Sequence, residues 1–329
     1  MIVRWGMPEL SGLLVELGIN RPLLISTARW SGVELPIEIP AERRFHRVEG
    51  HAPPSAIDEA VLQATETGAD GLLALGGGSA IDTAKATSSK TGLRVVSIPT
   101  TYSGAEWTTF YGSRDHGRRI KDVGSGALTV GILCEPTLTF GLSVRDSAGT
   151  ALNALDHCAE ALYGPRRTAE TDAAALEGAR LISTWLPCVI ADGNDLEART
   201  ELLRGAMRAG FALQAGIALA HALSQALGGY TGGSHGVFNA LTLPAVLRFN
   251  AEAAAEPIAR LAEALGSDDA AARIEELARL GGIHNLREEG LLESDIPVVA
   301  EAAASRPAVA ANPRPCTAAD AEALLRSIW

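Results

Sequence analysis

Residues 71–85, GLLALGGGSAIDTAK, pass from a short apolar run through three glycines into a helical pattern. This order predicts a strand, a glycine turn and the start of a helix. Glycine allows positive φ and a close approach of the backbone to a bound group, and the first N–H groups of a helix favour an anion. The spacing matches neither GxGxxG nor GxxxxGK[ST]. Two interpretations therefore stay open, a pyrophosphate site and a tight connection between strand and helix.

The chain alternates strand-like and helical runs up to about residue 146. The predicted strands and helices of this part lie at 22–27, 55–67, 71–75, after Ser79, around Val95 and at 130–134. Such alternation predicts a doubly wound, mostly parallel sheet with its ligand at the carboxyl ends of the strands. We therefore expect an α/β dinucleotide-binding domain over residues 1–146.

Residues 147–329 are rich in Ala and Leu with a helical period, and they predict an all-α domain. The predicted helices are 147–163, 169–191, 196–212, 215–227, 235–248, 252–265, 268–280 and 317–328.

Composition restricts the class of protein. A formal net charge of -11 argues against a nucleic-acid partner, so an acidic substrate needs a local positive site. The four cysteines form no CxxC pair, and neither a leader segment nor an apolar run of membrane-spanning length is found in the sequence. We expect a cytoplasmic protein without a membrane partner.

Four further segments give the chain a specific resemblance. Residues 98–106 read IPTTYSGAE, residues 151–163 read ALNALDHCAEALY, His221 leads through SHG at 234–236 to LP and FN, and NPRP stands at 312–315. Together with the glycine turn they resemble the iron-containing alcohol dehydrogenase superfamily and, within it, the maleylacetate reductases, from about residue 10 onwards. The resemblance implies the dehydroquinate synthase-like fold, NADH or NADPH as cofactor, and a homodimer.

The resemblance also implies a set of cofactor-binding residues with small or polar side chains. They are Gly77, Gly78, Ser79, Asp82, Thr100, Thr101, Ser103, Lys121 and Thr27. The first four are expected at the pyrophosphate, and the Thr and Ser residues of the second motif along the path from adenosine to nicotinamide. The first strand ends in Ser26 and Thr27, where relatives selective for NAD often carry Asp. Without that carboxylate, NADPH is not repelled.

Asn153 and His157 lie four residues apart on a predicted helix, so their side chains share a face. With His221 and His235 they could form a site for Fe or Zn. Metal-dependent relatives carry Asp at the position of Asn153, whereas maleylacetate reductases carry Asn and resemble enzymes that work without a bound metal. We therefore expect no metal. Asp156 is rotated about 100° from His157 and is not expected to be a ligand.

The proton donor is less well defined by the sequence. The family usually has a histidine four residues after His221, where this chain has Gln225, and Gln cannot transfer a proton near neutral pH. The remaining candidates are His157, His221 and His235, with Tyr102 as a weaker one. Arg314 could bind a substrate carboxylate, or belong to a tail that lies on the surface.

We expect an NAD(P)H-dependent reductase of an unsaturated or keto acid, resembling maleylacetate reductase, which forms 3-oxoadipate in aromatic catabolism. One alternative is an Fe- or Zn-dependent alcohol or aldehyde oxidoreductase. The other, favoured by Gln225, is a nucleotide-binding protein without redox activity.

Overall fold

The computed structural model describes residues 1–115 and 120–329, and the side chains of residues 115 and 120–122 are also outside the description. Lys121, expected near the cofactor ribose, belongs to this excluded set. The described chain divides into two compact units, the N-terminal unit Met1–Thr139 and the C-terminal unit Phe140–Trp329. The domain boundary after residue 146 stays a prediction.

The strands and helices of the N-terminal unit are β1 (Ile2–Trp5), α1 (Leu10–Glu16), β2 (Pro22–Ser26), β3 (Arg44–Phe45), α2 (Pro54–Glu66), β4 (Gly71–Gly76), α3 (Gly78–Thr91), β5 (Arg94–Pro99) and β8 (Leu128–Cys134). The six strands form a parallel sheet with the order β1-β8-β5-β4-β2-β3. A separate antiparallel hairpin consists of β6 (Tyr111–Asp115) and β7 (Ile120–Gly124). The predicted α/β fold class is confirmed.

Both faces of this sheet are covered, which explains its continuous apolar strands. Leu72 and Ala74 of β4 belong to one hydrophobic cluster with residues of α2 and α3. Leu73 and Leu75 point the other way and pack with residues of α1. Because neighbouring residues of a strand face opposite sides, a strand buried on both faces must be apolar throughout.

The C-terminal unit is helical in its described residues. Its helices are α4 (Val144–Ala161), α5 (Ala169–Ala191), α6 (Leu196–Ala212), α7 (Leu219–Thr231), α8 (His235–Phe249), α9 (Ala255–Leu265), α10 (Ala270–Leu280), α11 (Ile296–Ala304) and α12 (Ala318–Ser327). Helix α4 is its centre, because it packs against α5, α6 and α8 and is buried on all sides from Ala151 to Ala161. A helix that is buried on all sides has no face in contact with solvent, so the side chains on every side of it contact neighbouring segments.

One helix of the described chain, α5, is long and apolar enough to cross a membrane, judged by length and composition alone. It packs against α4, α6 and α9. Near its start Asp172 pairs with Arg167 and Arg260. Packing of this kind is typical of a helix in the core of a folded domain.

Candidate active site

The glycine turn, Gly76 to Gly78, connects β4 to α3. Gly76 alone of the three has a positive φ, at 149°. Gly77 is required for a different reason, since a Cβ there would lie 2.8 Å from Cγ2 of Thr101. A Cβ on Gly78 would lie 3.8 Å from Oγ of Ser103, an ordinary contact. The turn and the segment after β5 are therefore neighbours.

The predicted cofactor residues of three strands lie at one edge of the sheet. Strand β4 pairs in parallel with both β2 and β5, so Thr27, the glycine turn and Thr100 all follow carboxyl ends. The backbone N–H of Thr100 donates to the carbonyl of Gly76 at 3.1 Å. The hydroxyl of Thr101 donates to that of Ser103 at 3.3 Å. This edge is where doubly wound sheets bind their ligands.

Two of the predicted cofactor residues accept hydrogen bonds from the backbone of neighbouring segments. The Ser79 hydroxyl accepts from the N–H of His51 at 3.0 Å, and His51 has a φ of 63°. The Asp82 carboxylate accepts from the N–H of Gly112 at 3.0 Å and lies 3.0 Å from the Lys85 ammonium. Their contact with a cofactor stays a prediction.

Lys85 fixes the segment that follows the second motif. It is buried and donates to the carbonyls of Ala105, at 2.7 Å, and Phe110. Burial raises the pKa of Glu106 to about 7, although its own backbone hydrogen bond and the nearby Lys85 oppose that rise. The hydrogen bonds of Lys85 therefore brace the segment from Ala105 to Phe110.

Tyr102 is fully buried, and its hydroxyl donates to Oγ1 of Thr139 at 3.3 Å. This position argues against Tyr102 as a proton donor.

In the C-terminal unit the structure brings together the histidine cluster, which we define as Asn153, His157, His221 and His235. Helix α4 contributes the first two, α7 contributes His221, and His235 begins α8. The ring of His157 stacks on that of His221 at 4.9 Å between centroids, and His235 meets His221 edge to face at 5.6 Å. His235 is half-buried and the other three are buried.

Two further polar side chains complete the cluster, and sequence reasoning missed both. Asn239, one turn after His235, donates from Nδ2 to Oδ1 of Asn153 at 2.5 Å. The same Nδ2 lies 3.4 Å from Nε2 of both His221 and His235. Ser224 lies 3.2 Å from Nδ1 of His235. The spacings of four and three residues from histidines are the signal that could have found them.

Two fully buried carboxylates, Asp156 and Glu160, lie behind His221, and we call them the carboxylate pair. Nδ1 of His221 is 2.8 Å from Oδ2 of Asp156 and 2.9 Å from Oε2 of Glu160. Glu160 also accepts from the N–H groups of Ala218, at 2.6 Å, and Ala220, at 2.8 Å. It therefore holds the start of α7 and orients the ring of His221.

Burial and charge set different protonation states for the two stacked rings. Burial lowers the pKa of His221, but attraction to Asp156 and hydrogen bonds to both carboxylates outweigh it and raise the pKa to about 10. Burial also raises the pKa of Asp156 to about 7, with His221 opposing the rise. For His157, burial and the neighbouring His221 place the pKa far below its ordinary value. The surroundings therefore favour the protonated form of His221 and disfavour that of His157.

The position of Asp156 bears on the expectation that it is not a metal ligand. Asp156, Glu160 and His221 are all buried, and their ligand atoms lie within 4.8 Å of one another, so the three could hold a metal ion. The rotation of Asp156 away from His157 turns it toward α7 instead of out of the site. This cluster weighs against the expectation of a site without metal.

Gln225 and Arg314 have contacts that the sequence did not indicate. Oε1 of Gln225 accepts from Nη1 of Arg306 at 2.9 Å. Arg314 donates to the carbonyl of Phe249 at 3.1 Å, and its guanidinium lies 4.0 Å from the centre of the Phe249 ring. Arg314 therefore ties the tail to the end of α8, which fits a tail that lies on the surface.

Known proteins resemble this chain over most of its length. A family model for iron-containing alcohol dehydrogenase matches residues 7–129, and one for the C-terminal part of the Fe-containing alcohol dehydrogenase family matches residues 147–329. A maleylacetate reductase of Burkholderia cepacia is 35% identical over 324 residues, 95% of this chain and 91% of that protein.

Solved structures resemble the chain equally well. The crystal structure of maleylacetate reductase from Agrobacterium tumefaciens has a TM-score of 0.88 at 30% identity and covers 100% of this chain and 95% of that one. That of an iron-containing alcohol dehydrogenase from Corynebacterium glutamicum has a TM-score of 0.89 at 30% identity, with 100% and 94% covered.

Proposed function

Because the chain belongs to the iron-containing alcohol dehydrogenase family, we propose that it is an NADH- or NADPH-dependent reductase of maleylacetate or a closely similar unsaturated oxo acid. The predicted resemblance and the oxidoreductase class are confirmed. The third interpretation, a nucleotide-binding protein without redox activity, has no support in these similarities. The proposed product, 3-oxoadipate in the case of maleylacetate, places the reaction in aromatic catabolism.

One observation in the C-terminal unit supports this function above the others. His221 is held by the carboxylate pair at Nδ1, and its Nε2 lies 3.4 Å from Nδ2 of Asn239. A bound dinucleotide would supply the hydride, and reduction of the substrate double bond would place negative charge on the conjugated oxo group. A cationic imidazole stabilises that charge and supplies the proton for the adjacent carbon. The neutral His157 cannot supply this charge.

In the N-terminal unit the proposal assigns the cofactor to the carboxyl edge of the sheet. The first N–H groups of α3 would meet the pyrophosphate, since the helix starts at Gly78 and has no side-chain cap. Ser26 lies 2.7 Å from Nδ1 of His46, and neither residue carries a carboxylate that would repel a 2′-phosphate.

Cofactor oxidation on a panel of acids tests the proposal. We expect turnover with maleylacetate, and use of NADH and NADPH within about two orders of magnitude of each other, about 2.7 kcal/mol. Simple alcohols and aldehydes serve as comparison substrates. An enzyme that acts on them and leaves every unsaturated or oxo acid unchanged would contradict the proposed substrate.

A second candidate function is favoured by the metal-binding geometry of Asp156, Glu160 and His221. In this case the protein is an Fe- or Zn-dependent alcohol or aldehyde oxidoreductase, with an ion held by this trio or by the histidine cluster. A bound ion would act as a Lewis acid on a carbonyl.

Metal analysis and chelation separate the two candidates. Turnover that survives a chelator supports the metal-free reductase, while loss and recovery with a divalent ion support the second candidate. Asn153→Asp adds an anionic ligand one turn from His157, and we expect it to raise the affinity for Fe or Zn at least about tenfold. Measured ion affinity of this variant and of the parent protein checks that expectation.

The proposal also includes a homodimer in the cytoplasm. Sedimentation analysis of the purified protein tests the dimer, and fractionation of the source cell tests the compartment. A monomer with full turnover would contradict the dimer without affecting the assigned reaction.

A further inference from the structure

A pair of polar side chains lies at the carboxyl ends of β2 and β3. Ile25 is the parallel partner of Phe45, so Ser26 and His46 follow at the same level of the sheet. Oγ of Ser26 lies 2.7 Å from Nδ1 of His46. The N–H of Val48 donates to the carbonyl of Ser26 at 3.4 Å, which keeps the two segments side by side beyond the strands. The pair is therefore a fixed part of the carboxyl edge.

The contact with Ser26 uses one ring nitrogen of His46 and leaves the other. Ser26 is fully buried, whereas His46 is half-buried. Nε2 of His46 has no hydrogen bond with any residue that the structure describes. The buried hydroxyl thus orients the ring, and Nε2 is the atom that a ligand can meet.

A guanidinium adds positive charge to this part of the edge. Arg44 precedes His46 by two residues, and its Nε donates to the carbonyl of Ile39 at 2.9 Å. Arg44 has no ion pair with a carboxylate within the described part of the chain, whereas Arg47 pairs with Glu59. Burial and the charge of Arg44 both lower the pKa of His46, so the guanidinium is close enough to act on the ring.

The position of this pair relative to the glycine turn suggests its ligand. Strand β4, which leads into the turn, pairs with β5 on one side and with β2 on the other. A dinucleotide with its pyrophosphate at the turn would extend over both neighbours. The nicotinamide half is expected along the hydroxyls after β5, which leaves the β2 side for the adenosine half. In doubly wound folds a carboxylate at such a strand end binds the ribose 2′-OH, whereas a cationic side chain accommodates a 2′-phosphate.

We propose that His46 binds the 2′-phosphate of NADPH and makes the protein prefer NADPH to NADH, with Ser26 as the residue that positions the ring. The proposal rests on the proposed function, because it specifies the cofactor of the same reaction. A hydrogen bond from Nε2 to a phosphate is charge-assisted, and Arg44 adds attraction, while the hydroxyl of NADH gains neither. Ser26 and Thr27 close β2 without a carboxylate that would oppose this preference.

The experiment measures binding, so it does not depend on turnover. ADP-ribose and 2′-phospho-ADP-ribose are titrated into the protein by calorimetry. We expect the phosphorylated ligand to bind the wild-type protein at least about tenfold more tightly, about 1.4 kcal/mol. In His46→Leu this preference should fall below about twofold, while the affinity for ADP-ribose stays unchanged. His284→Leu, at an exposed position, is the matched control and should keep the full preference.

A second variant covers the case in which His46→Leu folds poorly. His46→Asp keeps a polar side chain at this half-buried position but places a carboxylate where the phosphate would lie. We expect it to reverse the preference, so that ADP-ribose binds at least about tenfold more tightly than the phosphorylated ligand.

Equal affinity of the wild-type protein for the two ligands would overturn this assignment. So would equal losses of both ligands in the His46 variants, because a merely structural role would not distinguish a phosphate from a hydroxyl. Failure of the wild-type protein to bind either ligand would instead contradict the cofactor site of the proposed function.

Discussion

The edge of the sheet in the N-terminal unit depends on missing side chains, whereas the histidine cluster in the C-terminal unit depends on charged and polar ones. Around the glycine turn, missing side chains let the backbone lie close to its neighbours, and the polar side chains of Ser79 and Asp82 hold the backbone of His51 and Gly112. Around His221, charged and polar side chains from three helices meet in a buried place. An added side chain should therefore harm the first region most, and a removed charge should harm the second.

The largest effect is expected from removing the charge of His221. His221→Gln should lower kcat by about 10² to 10⁴-fold, the usual contribution of a positioned acid. The dissociation constant of the cofactor should stay within about twofold, about 0.4 kcal/mol. Steady-state kinetics and cofactor titration check both values. His284→Gln, at an exposed position, is the control. If His221→Gln has the kcat of the parent protein, the charge of His221 is not needed for turnover, and the two regions do not differ in this way.

A smaller effect is expected from adding a side chain to the glycine turn. Gly78→Val should raise the dissociation constant of the cofactor at least about tenfold, while kcat at saturating cofactor stays close to that of the parent protein. The fold has room for a Cβ at Gly78, but at Gly77 it would meet Thr101 at 2.8 Å. Gly77→Val should therefore lower the melting temperature as well, and calorimetry separates the two variants. Unchanged cofactor affinity in folded Gly78→Val would remove the pyrophosphate site from this turn.

The smallest effect concerns stability and pH. The pKa of His221 is raised from 6.5 to about 10, so the folded protein keeps a proton that the unfolded chain loses. Its contribution is complete below pH 6.5 and is lost as the pH rises through about 10. The raised pKa of Asp156, about 7, acts with the same sign at lower pH.

Melting temperatures of the wild-type protein and His221→Gln should therefore converge as the pH rises from 6.5 toward 10. We expect a relative change of a few degrees in melting temperature. A difference that is constant across this range would show that His221 is neutral in the folded protein.

The central strands were predictable because their signals are local. Strands β2, β4, β5 and β8 are apolar runs bounded by turn residues, and the helices at 169–191 and 196–212 match α5 and α6. Strands β1 and β3 were missed because they are short edge strands that depend on β8 and β2 for pairing. The hairpin β6–β7 and the helices α1 and α11 were also missed.

The histidines were predictable from motif context, whereas their partners were not. Helix geometry turns Asp156 away from His157, and this excludes a residue from a site only when the helix has a single functional face. Since α4 is buried on all sides, residues that point away from His157 still point at a neighbouring helix. Similarly, the contact of Gln225 with Arg306 joins residues 81 positions apart, which no local pattern can indicate.

The hydrogen bonds that Glu160 accepts from the start of α7 also bear on the motion of this helix relative to α4. The first N–H groups of a helix usually exchange quickly with solvent, because helix ends fray. Those of Ala218 and Ala220 are bonded to a carboxylate on a different, buried helix. Their hydrogen–deuterium exchange should be slow, and it should speed up whenever α4 and α7 separate. The exchange rate of these two amides therefore reports how often α4 and α7 separate, and its measurement needs neither substrate nor cofactor.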